Sequence, residues 1–287
     1  MTVDGQLGLD GMPARLFSCT PSRLGTWLDC PRRYRMTYLD RPSPPKGGPW
    51  AHSAVGAAVH LALARWWSLP RRTPETARAL VDQAWPGSPH VAGFRDDVQS
   101  ERWRARAGDM VQAYAATLDP DDEPVGVERT VATRTATLAV SGRVDRIDRR
   151  TTAAGEEVVV VDYKAGRWVP DTADARGSLA LALYVHGARR TLRRACSTVE
   201  LHHLPSGTTV SWTHTEESLS RHLSRAEDIA AEAGAATAAL AAGDDGERAF
   251  PATPGPMCSW CDVAQHCPEG LAAAPRKRSW EGLAEEV

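Results

Sequence analysis

Asp162 and Lys164 stand two residues apart at the end of an uninterrupted valine run, Val158 to Val161. Such a β-branched run predicts a central strand buried on both faces. On a strand, a spacing of two puts both side chains on one face. Asp145 follows Gly142 in an alternating stretch just upstream. Pairing of the two stretches would bring Asp145 and Asp162 to one point. Two convergent carboxylates beside a lysine suit Mg²⁺ or Mn²⁺ holding a phosphate, because a hard cation takes oxygen ligands and keeps water positions open for substrate. Lys164 can then stabilise developing charge or position the attacking water. His60 is the third element, in Gly56-Ala57-Ala58-Val59-His60. The small residues let its helix approach a sheet closely, and the imidazole can join the metal. Each piece has a plainer reading alone: Asp-x-Lys as a solvated strand-edge pair, His60 as a hydrogen-bonded core residue.

The cysteines form a second set. Cys258, Cys261 and Cys267 sit in a Pro- and Gly-rich loop, one ligand short of four. Cys30, which breaks a helix before Pro31, is the best fourth member. Four thiolates would accept zinc or a [4Fe–4S] cluster, and spacing does not decide between them. Joining Cys30 to Cys258 closes a very long loop and should stabilise the fold. Cys19 and Cys196 are read as packed thiols.

The elements that must position these groups follow from periodicity. Thr20-Pro21 opens a helix with Leu24, Trp27 and Leu28, and a shorter helix follows Cys30-Pro31. Residues 41–49 are a Pro/Gly loop. Helices are expected over 50–68, 74–85 and 95–118, strands over 125–134, 137–149 and the valine run, and a helix over 175–191. A hairpin turns at Pro205-Ser206-Gly207, and a long Ala-rich helix runs from Glu216 to Ala242. The order predicts an α/β core with a central mixed sheet flanked by helices. The expected organisation is a flexible tail over 1–14, an N-terminal helical region over 15–120 carrying Cys30 and His60, a core over 121–250, a cysteine loop over 251–270 and a flexible tail over 271–287.

Apolar residues make up 42% of the 287, enough for a full core. Net charge is −2, so any nucleic-acid contact must be a local basic groove. Arg23, Arg32 and Arg33, interleaved with Trp27 and Tyr34, suit phosphates and stacked bases of a single strand, or equally a solvated helix face over an aromatic core stripe. Arg189, Arg190, Arg193 and Arg194 read as a charge run at a helix C-terminus. There is no membrane-length apolar stretch and no signal pattern at the N-terminus, so a cytoplasmic protein is expected.

Taken in order, the motifs carry a resemblance. Ser22-Arg23-Leu24 with Cys30-Pro31-Arg32-Arg33-Tyr34, Gly56 to His60, Gly142-Arg143-Val144-Asp145-Arg146-Ile147, Val161-Asp162-Tyr163-Lys164-Ala165-Gly166 and the tail cysteines together resemble the RecB-like PD-(D/E)XK nucleases of the AddB and CRISPR-associated type. The resemblance implies the PD-(D/E)XK fold and a metal-dependent DNA nuclease, an exonuclease acting on single-stranded or end-containing DNA in repair or recombination. It implies Mg²⁺ or Mn²⁺ held by His60, Asp145, Asp162 and the Tyr163 carbonyl, with Lys164 catalytic and Tyr184 in the site. It turns the cysteine set, Cys30, Cys258, Cys261 and Cys267, from zinc toward [4Fe–4S]. Where the family carries Gln-x-x-x-Tyr, this chain has Ala180 before Tyr184. That departure leaves a second reading, a catalytically weak nuclease-fold DNA-binding subunit. The chain has no Gly-x-x-x-x-Gly-Lys loop, which leaves room for a separate helicase or repair partner.

Overall fold

The computed structural model describes residues 16–88, 90, 92–152 and 155–283. Strand β1 (Phe17–Cys19) is followed by helices α1 (Pro21–Asp29), α2 (Pro31–Tyr38), α3 (Ala51–Trp67), α4 (Pro74–Ala84) and α5 (Asp97–Ala115). Then come β2 (Gly126–Arg134), β3 (Leu138–Thr152), β4 (Gly155–Lys164), α6 (Thr172–Gly177), α7 (Leu179–Leu192), β5 (Cys196–His203) and β6 (Thr208–Thr213). Helix α8 (Glu216–Ala241), short α9 (Gly246–Ala249), two 3₁₀ turns and α10 (Pro268–Ala273) complete the main elements. The fold is mixed α/β, with a central mixed sheet flanked by helices, as the sequence predicts.

The long β3 organises the sheet. Along one edge it pairs antiparallel with β2. Along the other it pairs first with β1, in parallel, up to Val140, and then with β4, antiparallel, from Arg146 onward. Residues 141–145 of that edge lie between the two partners. β4 continues the sheet to β5 in parallel, the crossover being α6 and α7, and β5 turns back into β6.

The valine run is buried on both faces, as its composition requires. Val159, Val161 and Tyr163 face α3, α4 and α5, while Val158 and Val160 face α6 and α7. The N-terminal helices thus share a core with the sheet rather than standing apart from it. A third cluster ties α1 and α2 to α8 through Leu24, Trp27, Tyr34, Ile229 and Phe250. Thr20 caps α1 by accepting from the Arg23 amide, with Pro21 at the first helical position.

Two expectations need correction and one cannot be placed. β1 is too short to leave a periodic signal and has none in the sequence reading. Residues 271–283 are not a loose tail: the Ala51 amide donates to the Ser279 carbonyl at 3.0 Å, and Leu283 is buried in the α3–α5 core. The tail expected over 1–14 lies outside the described residues. Among the described residues no helix is long and apolar enough to cross a membrane.

Candidate metal centre and cysteine cavity

The registers of β2–β3 and β3–β4 converge on one row. Val127 faces Arg146 and Arg129 faces Val144, so Glu128 lies across from Asp145. Arg146 faces Val161, so the next position along places Asp162 across from Asp145 on the other side. Three acidic residues from three adjacent strands therefore stand side by side. Regular pairing stops at this row. The Tyr163 amide donates instead to Asp145 Oδ2 at 2.8 Å, so the carboxylate closes the ladder where a carbonyl would have. Glu128 adopts φ +49°, a left-handed conformation costing a non-glycine residue about 1 kcal/mol or more, and such strain gathers at functional sites.

Helix α3 adds His60, whose Nδ1 lies 3.2 Å from Asp145 Oδ1. The ligand atoms of His60, Glu128 and Asp145 all fall within 4.8 Å of one another, close enough to grip one ion. Burial alone would lower the pKa of His60, but the Asp145 bond and the nearby carboxylates outweigh it and hold the imidazole above its ordinary value. Asp162 is half-buried and its Oδ2 lies 2.7 Å from Lys164 Nζ. Burial, with Asp145 beside it, raises the Asp162 carboxyl above its usual range despite Lys164. A cleft of about 640 Å³ opens over this set, lined by Thr20, Ser22, His60, Glu128, Asp145 and Tyr184 among others. Gly142 is required in its wall: a Cβ there would fall 2.5 Å from Tyr184 Cε1. Tyr184 thus packs over the free segment of β3, and its hydroxyl is pushed up by burial and by Asp162 and Asp145.

On the opposite face, the neighbours of the two aspartates are clamped together. Arg146 is buried and donates to the hydroxyls of Tyr163 at 3.2 Å and Tyr114 at 3.1 Å, and to Asp148 at 3.0 Å. The strands carrying Asp145 and Asp162 are thereby held in register from behind.

A carboxylate row beside a lysine, closed by a histidine from a helix, could hold a divalent ion, with the lysine beside it able to meet a phosphate. The sequence model of the PD-(D/E)XK nuclease superfamily matches residues 18–268. The chain belongs to the PD-(D/E)XK nuclease superfamily. Its activity class is phosphodiester hydrolysis, and divalent metals are typical of the superfamily. No curated protein matches the chain. Among solved structures it is similar to a "Putative exonuclease" from Eubacterium rectale, at 12% identity and TM-score 0.48, over 92% of this chain and 94% of that one.

The structure brings together four residues that the sequence singled out, His60, Asp145, Asp162 and Lys164, and sets beside them Glu128, which the sequence reading did not name. An acidic residue at the matching register of the preceding strand is the signal, and it is legible only once β2 and β3 are paired.

The second constellation also assembles. Cys30, Cys258, Cys261 and Cys267 line one cavity of about 190 Å³, with Arg32 and Arg33 in its wall. Cys30 and Cys267 are each followed by proline and each caps a helix, accepting from the Arg33 and Gly270 amides at 3.5 and 3.4 Å. The Thr253 and Gly255 amides point at Cys30 and Cys258 Sγ. Sulfur is thus met by amide donors, while burial pushes the Cys261 and Cys267 thiols above their ordinary value. A Cβ on Gly270 would lie 3.3 Å from Cys267 Sγ and 3.5 Å from Cys258 Sγ, filling the cavity. Among the described residues no three of these sulfurs lie within 4.8 Å of one another. Tetrahedral zinc, with Zn–S about 2.3 Å, would want sulfur separations of roughly 3.8 Å. Cys19 and Cys196 are buried elsewhere, their thiols pushed up by burial to about 11 and about 12, as packed side chains would be.

Of the DNA contacts expected on α1 and α2, Arg32 and Tyr34 are buried and cannot meet a strand, while Arg23 and Arg33 are partly exposed. Tyr34 is 0% exposed and lies against Trp27 and Phe250. Arg32, 5% exposed, donates to the Phe250 carbonyl and pairs with Glu247 and Glu269. Arg23 donates to the Tyr34 hydroxyl at 2.9 Å and lies over three aromatic rings. Arg33 pairs with Asp29 and Asp262 beside the cysteines. Arg32, Arg33 and Tyr34 thus join α2 to the C-terminal segment. Arg189, by contrast, ends α7 as read, held by Glu216.

Proposed function

We propose that this chain is a metal-dependent deoxyribonuclease acting on single-stranded or end-containing DNA in cytoplasmic repair. The observation that carries the reading is the transverse row Glu128–Asp145–Asp162, with His60 bonded to its centre and Lys164 to its end. His60, Glu128 and Asp145 would hold Mg²⁺ or Mn²⁺, with Asp162 and the Tyr163 carbonyl completing the set. The bound ion supplies Lewis acidity and a water activated at neutral pH. Lys164 offers its ammonium to a non-bridging phosphate oxygen while Asp162 fixes its position. The clamp of Arg146 on Tyr163 keeps the two aspartate strands from drifting apart. Tyr184 closes the cleft wall and limits water at the reacting phosphate.

The four-cysteine cavity is read as the seat of a [4Fe–4S] cluster. In support stand the four thiols gathered on one cavity and the amides and arginines around them. Anaerobic protein should absorb broadly near 400 nm and carry about four iron and four sulfide per chain. Colourless protein with one tightly held zinc would overturn this.

The direct test is cleavage of end-labelled single- and double-stranded DNA in Mg²⁺ or Mn²⁺. If wild type and Asp162→Ala degrade DNA equally, the catalytic claim fails. Ala180 favours one other reading, a weakly active subunit that binds DNA for a helicase partner. Robust cleavage by the purified chain removes it.

A further inference from the structure

We propose that Arg143 holds the DNA phosphate on the far side of the acidic row from Lys164, so that the backbone crosses the metal cleft between two cations. The inference rests on the nuclease reading and adds a substrate contact to that site.

The row Glu128–Asp145–Asp162 carries an ion pair at each end. Lys164 Nζ lies 2.7 Å from Asp162 Oδ2, and Arg143 Nε lies 2.7 Å from Glu128 Oε2. The two ends stand two strand spacings apart, roughly 10 Å. Arg143 and Asp145 are two apart on β3, so both face the side from which α3 brings His60. The Arg143 charge also reaches the Tyr184 hydroxyl in the same cleft. Among the described residues Arg143 is the one arginine or lysine that lines this cleft.

Pairing with Glu128 does not exhaust this side chain. A guanidinium carries five N–H donors in a rigid fork. Glu128 meets Nε alone. Nη1 and Nη2 have no hydrogen bond or ion pair among the described residues, and 70% of the side chain is exposed. The carboxylate therefore orients the fork and leaves the Nη edge for a second anion, and two oxygens of a phosphate match that edge. As an exposed ion pair the contact adds little to stability, so the fold alone does not account for it. Across the cleft, α3 offers Ser53, Gly56, Ala57 and Ala64, side chains too short to fill the space of about 640 Å³ before the guanidinium. Three carboxylates are formally balanced by a divalent ion and Lys164. A phosphodiester brings one more negative charge, and Arg143 is the group placed to meet it.

The experiment measures binding of a fluorescein-labelled oligothymidylate by anisotropy across a KCl series, with saturating Ca²⁺ in place of Mg²⁺. Arg143→Gln should weaken binding roughly ten- to a hundredfold, the span of a charged hydrogen bond. It should also flatten the slope of log affinity against log salt by about 0.7, one phosphate contact on a single strand. Arg143→Lys keeps the charge and loses the fork, so its slope should match wild type while its affinity falls between the two. Calorimetric titration with Mn²⁺ separates a purely positioning role: an arginine that only steadied Glu128 would cost metal affinity when lost and leave the slope alone. An Arg143→Gln slope equal to that of wild type would overturn the proposal whatever the metal affinity, as would a wild type that does not bind oligothymidylate. The nuclease reading is measured apart, by wild-type hydrolysis of bis(p-nitrophenyl) phosphate in Mn²⁺. A flattened slope without hydrolysis would keep Arg143 as a strand contact and remove the nuclease; hydrolysis with an unchanged slope would do the reverse.

Discussion

The metal cleft and the cysteine cavity are built in opposite ways. The cleft draws three carboxylates from consecutive strands, β2, β3 and β4, so hairpin register alone aligns them, and only His60 comes from afar. The cavity draws Cys30 from one end of the chain and Cys258, Cys261 and Cys267 from the other, and exists only once the whole fold has closed. The cleft stores strain at Glu128 and gathers like charges, which costs stability and serves chemistry. The cavity surrounds its donors with amides and arginines and joins the chain ends, which serves stability. Damage to the first should appear as lost rate in a folded protein. Damage to the second should appear as a protein that melts early.

The largest effect is expected at the centre of the row. Asp145→Asn should lower metal-dependent cleavage by about a thousandfold or more, since the ion's charge stabilisation is worth several kcal/mol. The amide oxygen can still accept from Tyr163, so melting should shift by only a few degrees and any absorption near 400 nm should persist. Glu128→Gln should weaken metal affinity by about ten- to a hundredfold. If Asp145→Asn also bleached the protein, the two centres would not be separable.

The cavity should respond the other way. Cys267→Ser removes a thiol that caps α10 and faces Cys258 across Gly270. If the proposed cluster joins Cys30 to Cys267, losing that cross-link over more than two hundred residues should cost about 5 kcal/mol, which for a chain of this size is roughly a 9 °C fall in Tm by calorimetry. An unchanged Tm would mean the chain ends are held by Arg32, Phe250 and their partners alone.

How far each centre was legible follows from the same contrast. Asp162 and Lys164 were readable because a spacing of two is a strand period, and the valine run fixed the strand. His60 was readable from the small residues around it. Glu128 was not, because its role depends on register and on a left-handed turn of the backbone, and no short window of sequence contains either. The four cysteines were readable as donors, but their spread in space was not. Arg32 and Tyr34 were misread as DNA contacts because arginine among aromatics looks alike on a surface and in a core; burial alone separates them. Residues 271–283, with Arg276, Lys277 and Arg278 in a row, look solvated, yet Leu283 reaches the core.

A smaller effect tests the face away from both centres. His214 is 3% exposed, its Nδ1 bonded to Ser218 and its Nε2 without a partner among the described residues. Burial, with His222 on α8 and His186 and Arg189 on α7 close by, lowers its pKa from 6.5 to about 4. A histidine kept neutral in the fold stabilises fully above 6.5, and that contribution drains away as pH falls toward 4. The ceiling is about 3 kcal/mol. Urea melts between pH 7 and 4 should show this slope, and His214→Gln should flatten it. Equal slopes would place the acid sensitivity elsewhere, Glu200 being next, its carboxylate held near 2 by His202 and Arg150 against the pull of burial.

The smallest effect concerns Ala180, one turn before Tyr184 on α7. A glutamine here could reach a phosphate oxygen or Lys164 with one neutral hydrogen bond, worth about 0.5–1.5 kcal/mol. Ala180→Gln should therefore raise single-strand cleavage about two- to tenfold, in kcat if the bond forms only as charge develops and in KM if it holds substrate throughout. The change leaves the carboxylate row untouched, so metal affinity should not move. A rate that stays level would mean that the Asp162–Lys164 pair already fixes the ammonium without help from α7. The cleft would then owe its order wholly to strand register and to the Arg146 clamp behind it.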